Sequence, residues 1–250
     1  MSVTELVDLI RDRQPCVVLT GAGVSTESGI PDFRSPTGLW ARFDPLEYGS
    51  LDAFRRDPLK VWSFYKPRLA MLTEAEPNPA HLALAELERL GFVQAVVTQN
   101  IDLLHERAGS REVVEVHGSI RTSSCPGCGE RYPLARVLEL LVVADAPACP
   151  SCGAILKPDV VFFGELLAPA VIDRAYELAR GAGLLLVVGS ALEVYPVAAL
   201  PLETIGAGGE LAIVNRGPTG FDDRASLRID GAAGEVLPQV VAELRGQEPE

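Results

Sequence analysis

The sequence predicts an α/β protein: an open parallel sheet with helices on both faces, joined to a smaller lobe. Three observations lead there. Short, β-branched apolar runs recur and alternate with helical patterns, as expected of strands buried on both faces. Residues 35–78 and 119–157 break that rhythm and read as excursions away from the sheet. The second excursion carries two Cys-x-x-Cys pairs, the mark of a metal-stapled module.

The elements follow in order. Residues 1–13 form an amphipathic helix carrying Glu5, Asp8 and Asp12. Strands are expected over 16–20, 95–98, 113–117, 159–162, 184–188 and 211–214, with a weaker seventh over 226–229. Helical spacing covers 81–90, 168–180 and 196–205. The excursion over 35–78 reads as helical, with seven aromatic rings among its prolines. The expected division is a discontinuous core (1–34, 79–118 and 158–246), a helical insertion (35–78) and a cysteine module (119–157). The two excursions should pack together as one lobe, and the cleft between lobe and core is the natural ligand site.

Composition narrows the function. At 250 residues and 48% hydrophobic content, the chain can bury a sizeable core. A net charge of −12 argues against a nucleic-acid footprint and suits cationic partners such as lysine-rich polypeptides. The longest apolar runs fall far short of the roughly 20 residues that span a membrane. No targeting segment is legible. The expectation is a cytoplasmic protein that binds neither membrane nor nucleic acid.

Four of the five cysteines are paired: Cys125 with Cys128, and Cys149 with Cys152. Each Cys-x-x-Cys turn aims two thiolates at one point, and two turns complete a tetrahedron around zinc. Disulfides are the competing reading, disfavoured by the absence of a secretory signal. Four thiolates leave no open position on the metal, so it should hold structure and not activate water. Cys16, inside the first strand, reads as a small core residue.

The remaining chemistry gathers at strand ends. Gly21, Ala22 and Gly23 follow the first strand, and Ile30, Asp32, Phe33 and Arg34 close the same loop. Closely spaced glycines there deliver backbone N–H groups to a phosphate, which makes the core Rossmann-like. The third glycine, Gly29, nevertheless falls too late for the usual fingerprint. Gln99, Asn100 and Asp102 follow the second strand, with His105 beyond them, and His117 and Gly118 close the third. Gly189 and Ser190 follow 184–188, and Asn215 follows 211–214. Plain alternatives stand beside these readings. Residues 99–102 could be an ordinary turn, His105 a cap or bridge, and His81 a structural residue. Together the strand-end groups suggest an extended nucleotide laid across the sheet edge, with His117 as a general base.

In their order and joint presence these stretches resemble the sirtuins, the NAD-dependent protein-lysine deacylases, over essentially the full length. The matching pieces are residues 21–34, Thr98-Gln-Asn-Ile-Asp102 with His105, His117-Gly118, both cysteine pairs, 157–165, 189–196 and Val214-Asn215. The resemblance implies NAD as co-substrate, zinc in the cysteine module and acylated lysine side chains of proteins as partners. It implies that Gly21, Ala22 and Gly23 line the pyrophosphate, with Phe33 and Arg34 closing over the ribose and leaving nicotinamide. Ile30, Asp32, Asn100 and Asp102 would hold the nicotinamide amide and ribose, and Gln99 would bond the ribose. Gly189, Ser190 and Asn215 would contact the phosphate-to-adenosine portion. His117 would be the base, with Asn100 and Asp102 completing the catalytic set. Phe162, Phe163, Gly164, Glu165, Glu193 and Val194 would flank an extended substrate gripped as an added strand. The implied products are free lysine, nicotinamide and O-acyl-ADP-ribose; a monomer is one expectation, although the sequence itself does not give the oligomeric state. Two other classes share parts of this scheme: a protein mono-ADP-ribosyltransferase and a non-catalytic NAD-sensing module. His117, Asn100 and Asp102 count against the module, since binding alone needs no base.

One detail bears on the acyl group. Tyr65 and Arg68 stand at i and i+3, so a phenol and a guanidinium can converge on one carboxylate. The pair resembles the sirtuin branch that prefers malonyl-, succinyl- and glutaryl-lysine. Small residues at Gly49 and Ser50 leave room for a longer chain, while Pro67 removes one helical hydrogen bond between the pair. Ser190-Ala191 stands where many sirtuins carry Thr-Ser. The expectation is a desuccinylase and demalonylase with some deacetylase activity.

Overall fold

Ser2 caps the first helix, α1 (Val3–Asp12): its hydroxyl accepts from Glu5 N–H, and Glu5 accepts in return from Ser2 N–H. The structure, a computed structural model, describes residues 2–33 and 35–246. After α1 comes β1 (Cys16–Thr20), with all five residues buried, and then a 3-10 helix over Ala22–Ser28. The next stretch is helical, with a 3-10 turn at Leu39–Ala41, then α2 (Pro45–Tyr48), α3 (Leu51–Arg56) and α4 (Pro58–Glu74). Asp57 caps α4, Pro58 occupies its first turn, and the helix runs on through Pro67. α5 (Pro79–Arg89), β2 (Ala95–Thr98), α6 (Leu104–Ala108) and β3 (Val113–Glu115) return the chain to the sheet. β4 (Gly118–Ser124), β5 (Arg131–Pro133), α7 (Leu134–Val143) and β6 (Lys157–Val160) then build the cysteine module. The chain closes with α8 (Pro169–Gly181), β7 (Leu184–Val188), α9 (Leu200–Gly206), β8 (Glu210–Val214), β9 (Leu227–Ile229) and α10 (Ala233–Arg245).

Six parallel strands lie in the order β3-β2-β1-β7-β8-β9. Strand order reverses between β1 and β7, the switch point at which such sheets leave a crevice at their carboxyl ends. Alternate residues of β1 feed opposite faces. Val18 joins a cluster with Leu6, Leu84 and Leu237 from α1, α5 and α10. Val17 and Leu19 join Ala175, Leu178 and Leu200 on the other side. A third cluster unites the helical insertion with the cysteine module, through Phe54, Trp62, Val137, Leu156 and Phe162. Trp62 also donates its indole N–H to Leu156 O at 2.8 Å. The two excursions therefore form one lobe.

Two strand expectations are corrected. The stretch at 159–162 is not part of the parallel sheet, because β6 pairs antiparallel with β4 in a second sheet ordered β5-β4-β6. β6 buries only Pro158 and Val160, the alternation of a one-sided sheet, whereas β1 and β7 bury every residue. Residues 158–160 thus still belong to the small sheet. The strand at 113–117 ends at Glu115, which leaves His117 beyond it. The weak seventh run forms the edge strand β9. α7 and α10 have no counterpart among the sequence expectations; Gly234 and the internal Pro238 blur the pattern of α10. Among the described residues, no helix is long and apolar enough to cross a membrane.

Candidate active site

At the switch point two loops touch backbone to backbone. Gly23 N–H donates to Gly189 O at 2.9 Å. A Cβ on Gly189 would lie 2.3 Å from Val24 N, and Gly189 holds φ at +61°, so only glycine fits there. Gly21 N–H donates to Val188 O, and Ala22 opens the 3-10 helix that follows. The loop ends with Ile30, buried beside Phe54 and Leu104, and Asp32, which accepts from Ser35 N–H at 2.7 Å. Phe33 packs its ring 5.2 Å from Trp40, centroid to centroid. Arg34 lies outside the described residues.

Beneath this loop lies a buried polar network centred on Ser25. Its hydroxyl donates to Asp102 at 2.7 Å and accepts from Asn100 Nδ2 at 3.1 Å. Asn100 Nδ2 also donates to Gly21 O at 3.1 Å. Burial raises the Asp102 carboxyl above its ordinary value, opposed by hydrogen bonds from Leu104 N–H and Ser25. His81 Nε2 stands 3.3 Å from Ser25 Oγ, and its Nδ1 accepts from Asn78 N–H, which fixes the Nε2–H tautomer. His105 Nε2 lies 2.9 Å from Thr20 Oγ1. Burial lowers His81 to about 4 and His105 to about 3, so both rings are neutral near pH 7. Ser25 has no place among the sequence-expected site residues. Its position in the glycine loop, two residues after Gly23, was the only available signal.

Gln99 links strands: its amide donates to Ser190 Oγ at 2.9 Å and to Thr20 O at 3.2 Å. Its own carbonyl meets His117 Nδ1 at 3.1 Å. A carbonyl only accepts, so Nδ1 carries the proton and the basic lone pair sits on Nε2. The His117 carbonyl in turn accepts from Val161 N–H at 2.8 Å. Gly118, with φ +69°, then brings β4 so close to β6 that a Cβ would lie 2.2 Å from Asp159 O. His117 therefore sits at the joint between sheet and lobe. Gly189 and Ser190 join this network, and Gly189 N–H reaches Val214 O, next to Asn215. Asn215 turns its amide onto Arg216 O and Gly217 O.

The expected substrate groups fall in the lobe. Phe162 is buried, its ring 5.4 Å from Tyr65 and 6.0 Å from Phe54. Phe163 is 39% exposed, and Gly164 holds φ +86° in the same turn. Glu165 turns inward and pairs with Lys157 at 3.0 Å, while Glu193 and Val194 lie on the loop before Pro196. The Arg68 guanidinium lies 3.4 Å over the Phe64 ring and 4.7 Å from the Phe43 ring, both measured to the centroid. Its buried Nε has no hydrogen-bond partner, and burial lowers its pKa to about 10. Burial raises the Tyr65 phenol, and the Arg68 charge opposes that rise, so the two groups act on one another despite Pro67.

The four paired cysteines converge, with all sulfurs within 4.8 Å of one another. Cys125 and Cys152 lie 3.3 Å apart and Cys128 and Cys149 3.6 Å, too far for disulfides and matched to thiolates around one tetrahedral ion. The donor set fits zinc. β4 separates this cluster from His117 by seven residues, roughly 20 Å at about 3.3 Å each. Cys16 stays apart in the core, its thiol pushed up to about 12 by burial.

A crevice at the switch point of a parallel sheet, lined by a glycine loop and strand-end polar groups, is the class of α/β site that receives nucleotides. The chain belongs to the Sir2 family, whose model matches residues 21–196. It is similar to the NAD-dependent protein deacylase 2 of Pyrobaculum aerophilum, 46% identical over 240 residues covering 96% of this chain and 95% of that protein. The NAD-dependent protein deacylase of Pyrococcus furiosus is 43% identical over 243 residues, 96% of this chain and 97% of that one. Among solved structures, a Sir2 protein with a p53 peptide and NAD+ matches with a TM-score of 0.91 and 40% identity, covering 99% of this chain and 100% of the other.

Proposed function

We propose that the chain is an NAD-dependent protein-lysine deacylase, acting through the strand-end network and preferring acidic acyl groups. The observation that carries the reading is His117, whose Nδ1 proton is tied to Gln99 O and whose Nε2 is the basic nitrogen. NAD supplies a ribosyl bond to a cationic nicotinamide that breaks readily. The acyl oxygen would displace nicotinamide at the ribosyl carbon to give an imidate. Nε2 of His117 would take the proton of a ribose hydroxyl, whose oxygen then attacks the imidate carbon. Water would complete release of the lysine amine and leave the acyl group on the ribose. Asn100 and Asp102, fixed through Ser25, hold the nicotinamide end, and the glycine contact at Gly23 and Gly189 admits the pyrophosphate. The lysine acyl oxygen is a poor nucleophile, so holding it close and dry supplies much of the acceleration. Zinc in the four-thiolate cluster stabilises the lobe and takes no part in the chemistry. The division into core, insertion and cysteine module and a cytoplasmic setting belong to the same reading.

Arg68 supports the acidic-acyl preference. A desolvated guanidinium with an unpartnered buried Nε, beside a phenol, is matched to a carboxylate. The test is mass-spectrometric product analysis with NAD and peptides identical except for acetyl-, succinyl- or glutaryl-lysine, repeated with Arg68→Met. The expected result is nicotinamide and acyl-ADP-ribose, with kcat/KM on the acidic peptides reduced about 10- to 100-fold by the substitution and little change on acetyl. Equal losses on all three peptides overturn the preference. Labelled NAD transferred to protein, with no acyl-ADP-ribose, overturns the deacylase reading in favour of ADP-ribosyl transfer.

A further inference from the structure

Lys157 and Glu165 close the turn that carries Phe162 and Phe163. The Lys157 ammonium reaches three oxygens: Glu165 at 3.0 Å, Val160 O at 2.9 Å and Pro158 O at 3.0 Å. An ammonium has three N–H donors, so this set saturates it. The same group lies 4.1 Å over the Phe162 ring. Both side chains are largely withdrawn from water, at 17% and 21% exposure. Glu165 in turn accepts from Phe162 N–H at 2.7 Å, while its own N–H donates to Phe162 O at 3.0 Å. Both backbone groups of Phe162 are thus spent on one residue. Those of Phe163 go to the helical insertion, to Gly49 O at 2.8 Å and Leu51 N–H at 3.0 Å. At the other end, Lys157 pairs in the small sheet with Ser124, the residue before Cys125.

This arrangement does more than cover a loop. A substrate segment that adds as a strand beside this turn pairs beyond the groups that Phe162 and Phe163 spend within the protein. It binds best where the receiving backbone is already held in its bound shape, because ordering that backbone on binding costs affinity. The Phe162 ring also packs against Tyr65, so the turn is fixed beside the acyl site proposed at Tyr65 and Arg68. We propose that Lys157 and Glu165 are positioning residues for the acyl-lysine substrate: their ion pair holds the turn at Phe162 and Phe163 in its peptide-receiving shape and ties it to the zinc-bearing sheet. The inference rests on the deacylase reading above. Glu165 then acts through Phe162, not by touching substrate. Without the Lys157 charge, Glu165 turns outward and releases Phe162 N–H. Without the Glu165 charge, the Lys157 ammonium turns outward and lets go of the Val160 and Pro158 carbonyls, so either change loosens the turn.

The experiment uses the zinc-loaded full chain and compares wild type with Lys157→Met, Glu165→Gln and Lys157→Arg. Fluorescence polarisation reads binding of labelled acetyl- and succinyl-lysine peptides without NAD, and steady-state kinetics give separate KM values for peptide and NAD. Zinc content and melting temperature report folding. The expected result for Lys157→Met and Glu165→Gln is a loss of peptide affinity and a rise in peptide KM of about tenfold or more, with the NAD KM within about twofold. Lys157→Arg should recover most of the affinity. Glu165→Gln keeps the acceptor for Phe162 N–H and nearly the same volume, so it carries the test if Lys157→Met does not fold. Wild-type peptide affinity in the folded variants overturns this inference alone, and so does a parallel rise in both KM values. A wild-type protein that neither binds nor deacylates the peptides overturns the function as well.

Discussion

His117 gets its chemical direction from a backbone atom. The Gln99 carbonyl can only accept, so it holds the proton on Nδ1 and makes Nε2 the base whatever the surroundings. That carbonyl is itself fixed, because Gln99 is bonded through its N–H and its side chain to Thr20 and through its amide to Ser190. His117 is only half-buried, so its removal should cost chemistry and little stability. His117→Ala is expected to lower kcat about 100- to 10,000-fold, with the melting temperature and NAD affinity close to wild type. Near-normal turnover in that variant would remove the base from the mechanism. Arg68 shows the complementary logic. A cation packed against two near-perpendicular rings loses hydration, and an anion that reaches its Nε would replace what burial took away.

Elements hold these residues in two ways. In the parallel sheet, glycine contacts between the loops after β1 and β7 set the crevice. In the lobe, β4 leaves the sheet immediately after His117 and leads to the first cysteine turn, and β6 runs back antiparallel to it after the second. The lobe is small, and its third core cluster includes Cys125 and Cys149 themselves. Metal binding and local folding are therefore coupled there. Stripping zinc with a strong chelator should melt the lobe, seen as loss of the Trp62 fluorescence signature and a lower melting temperature, while the parallel sheet keeps its circular-dichroism signal. An unchanged melt after complete zinc removal would contradict a structural role for the cysteines. Legibility in the sequence divides along the same line. Runs such as 184–188, buried on both faces, announce themselves without context, and so do thiolates at fixed spacing. The stretch at 159–162 misleads because Val160, Val161 and Phe162 run together although only Val160 and Phe162 are buried. Ser25 is hidden for a different reason: its role depends on partners distant in sequence, Asp102 and Asn100. Spacing along the chain carries no trace of such meetings.

At the scale of the whole molecule, a net charge of −12 favours cationic polypeptides over anionic ligands, so under the proposed function an acidic acyl chain would have to find its attraction locally, at Arg68. The same balance shapes the response to acid. His81 and His105 lie 4.9 Å apart between α5 and α6, both buried as neutral rings beneath the candidate site. Their folded pKa values, about 4 and about 3, lie below the unfolded value near 6.5. The unfolded chain therefore takes up protons that the folded chain refuses. Their contribution is fully present above pH 6.5 and is lost as pH falls from there toward 4, at about 1.4 kcal/mol per pH unit for each ring. Asp102 works in the opposite sense, since its raised pKa favours proton uptake by the folded state. Zinc thiolates also protonate in acid, so a single melt cannot isolate the rings. The comparison that does is the pH dependence of urea unfolding for wild type against His81→Gln, from pH 7.5 to 5. The glutamine variant is expected to start less stable, because it loses the ring that bridges Asn78 and Ser25, yet to fall less steeply below pH 6.5. Parallel curves would mean that His81 titrates alike in the folded and unfolded chain, and would remove it as a source of acid sensitivity.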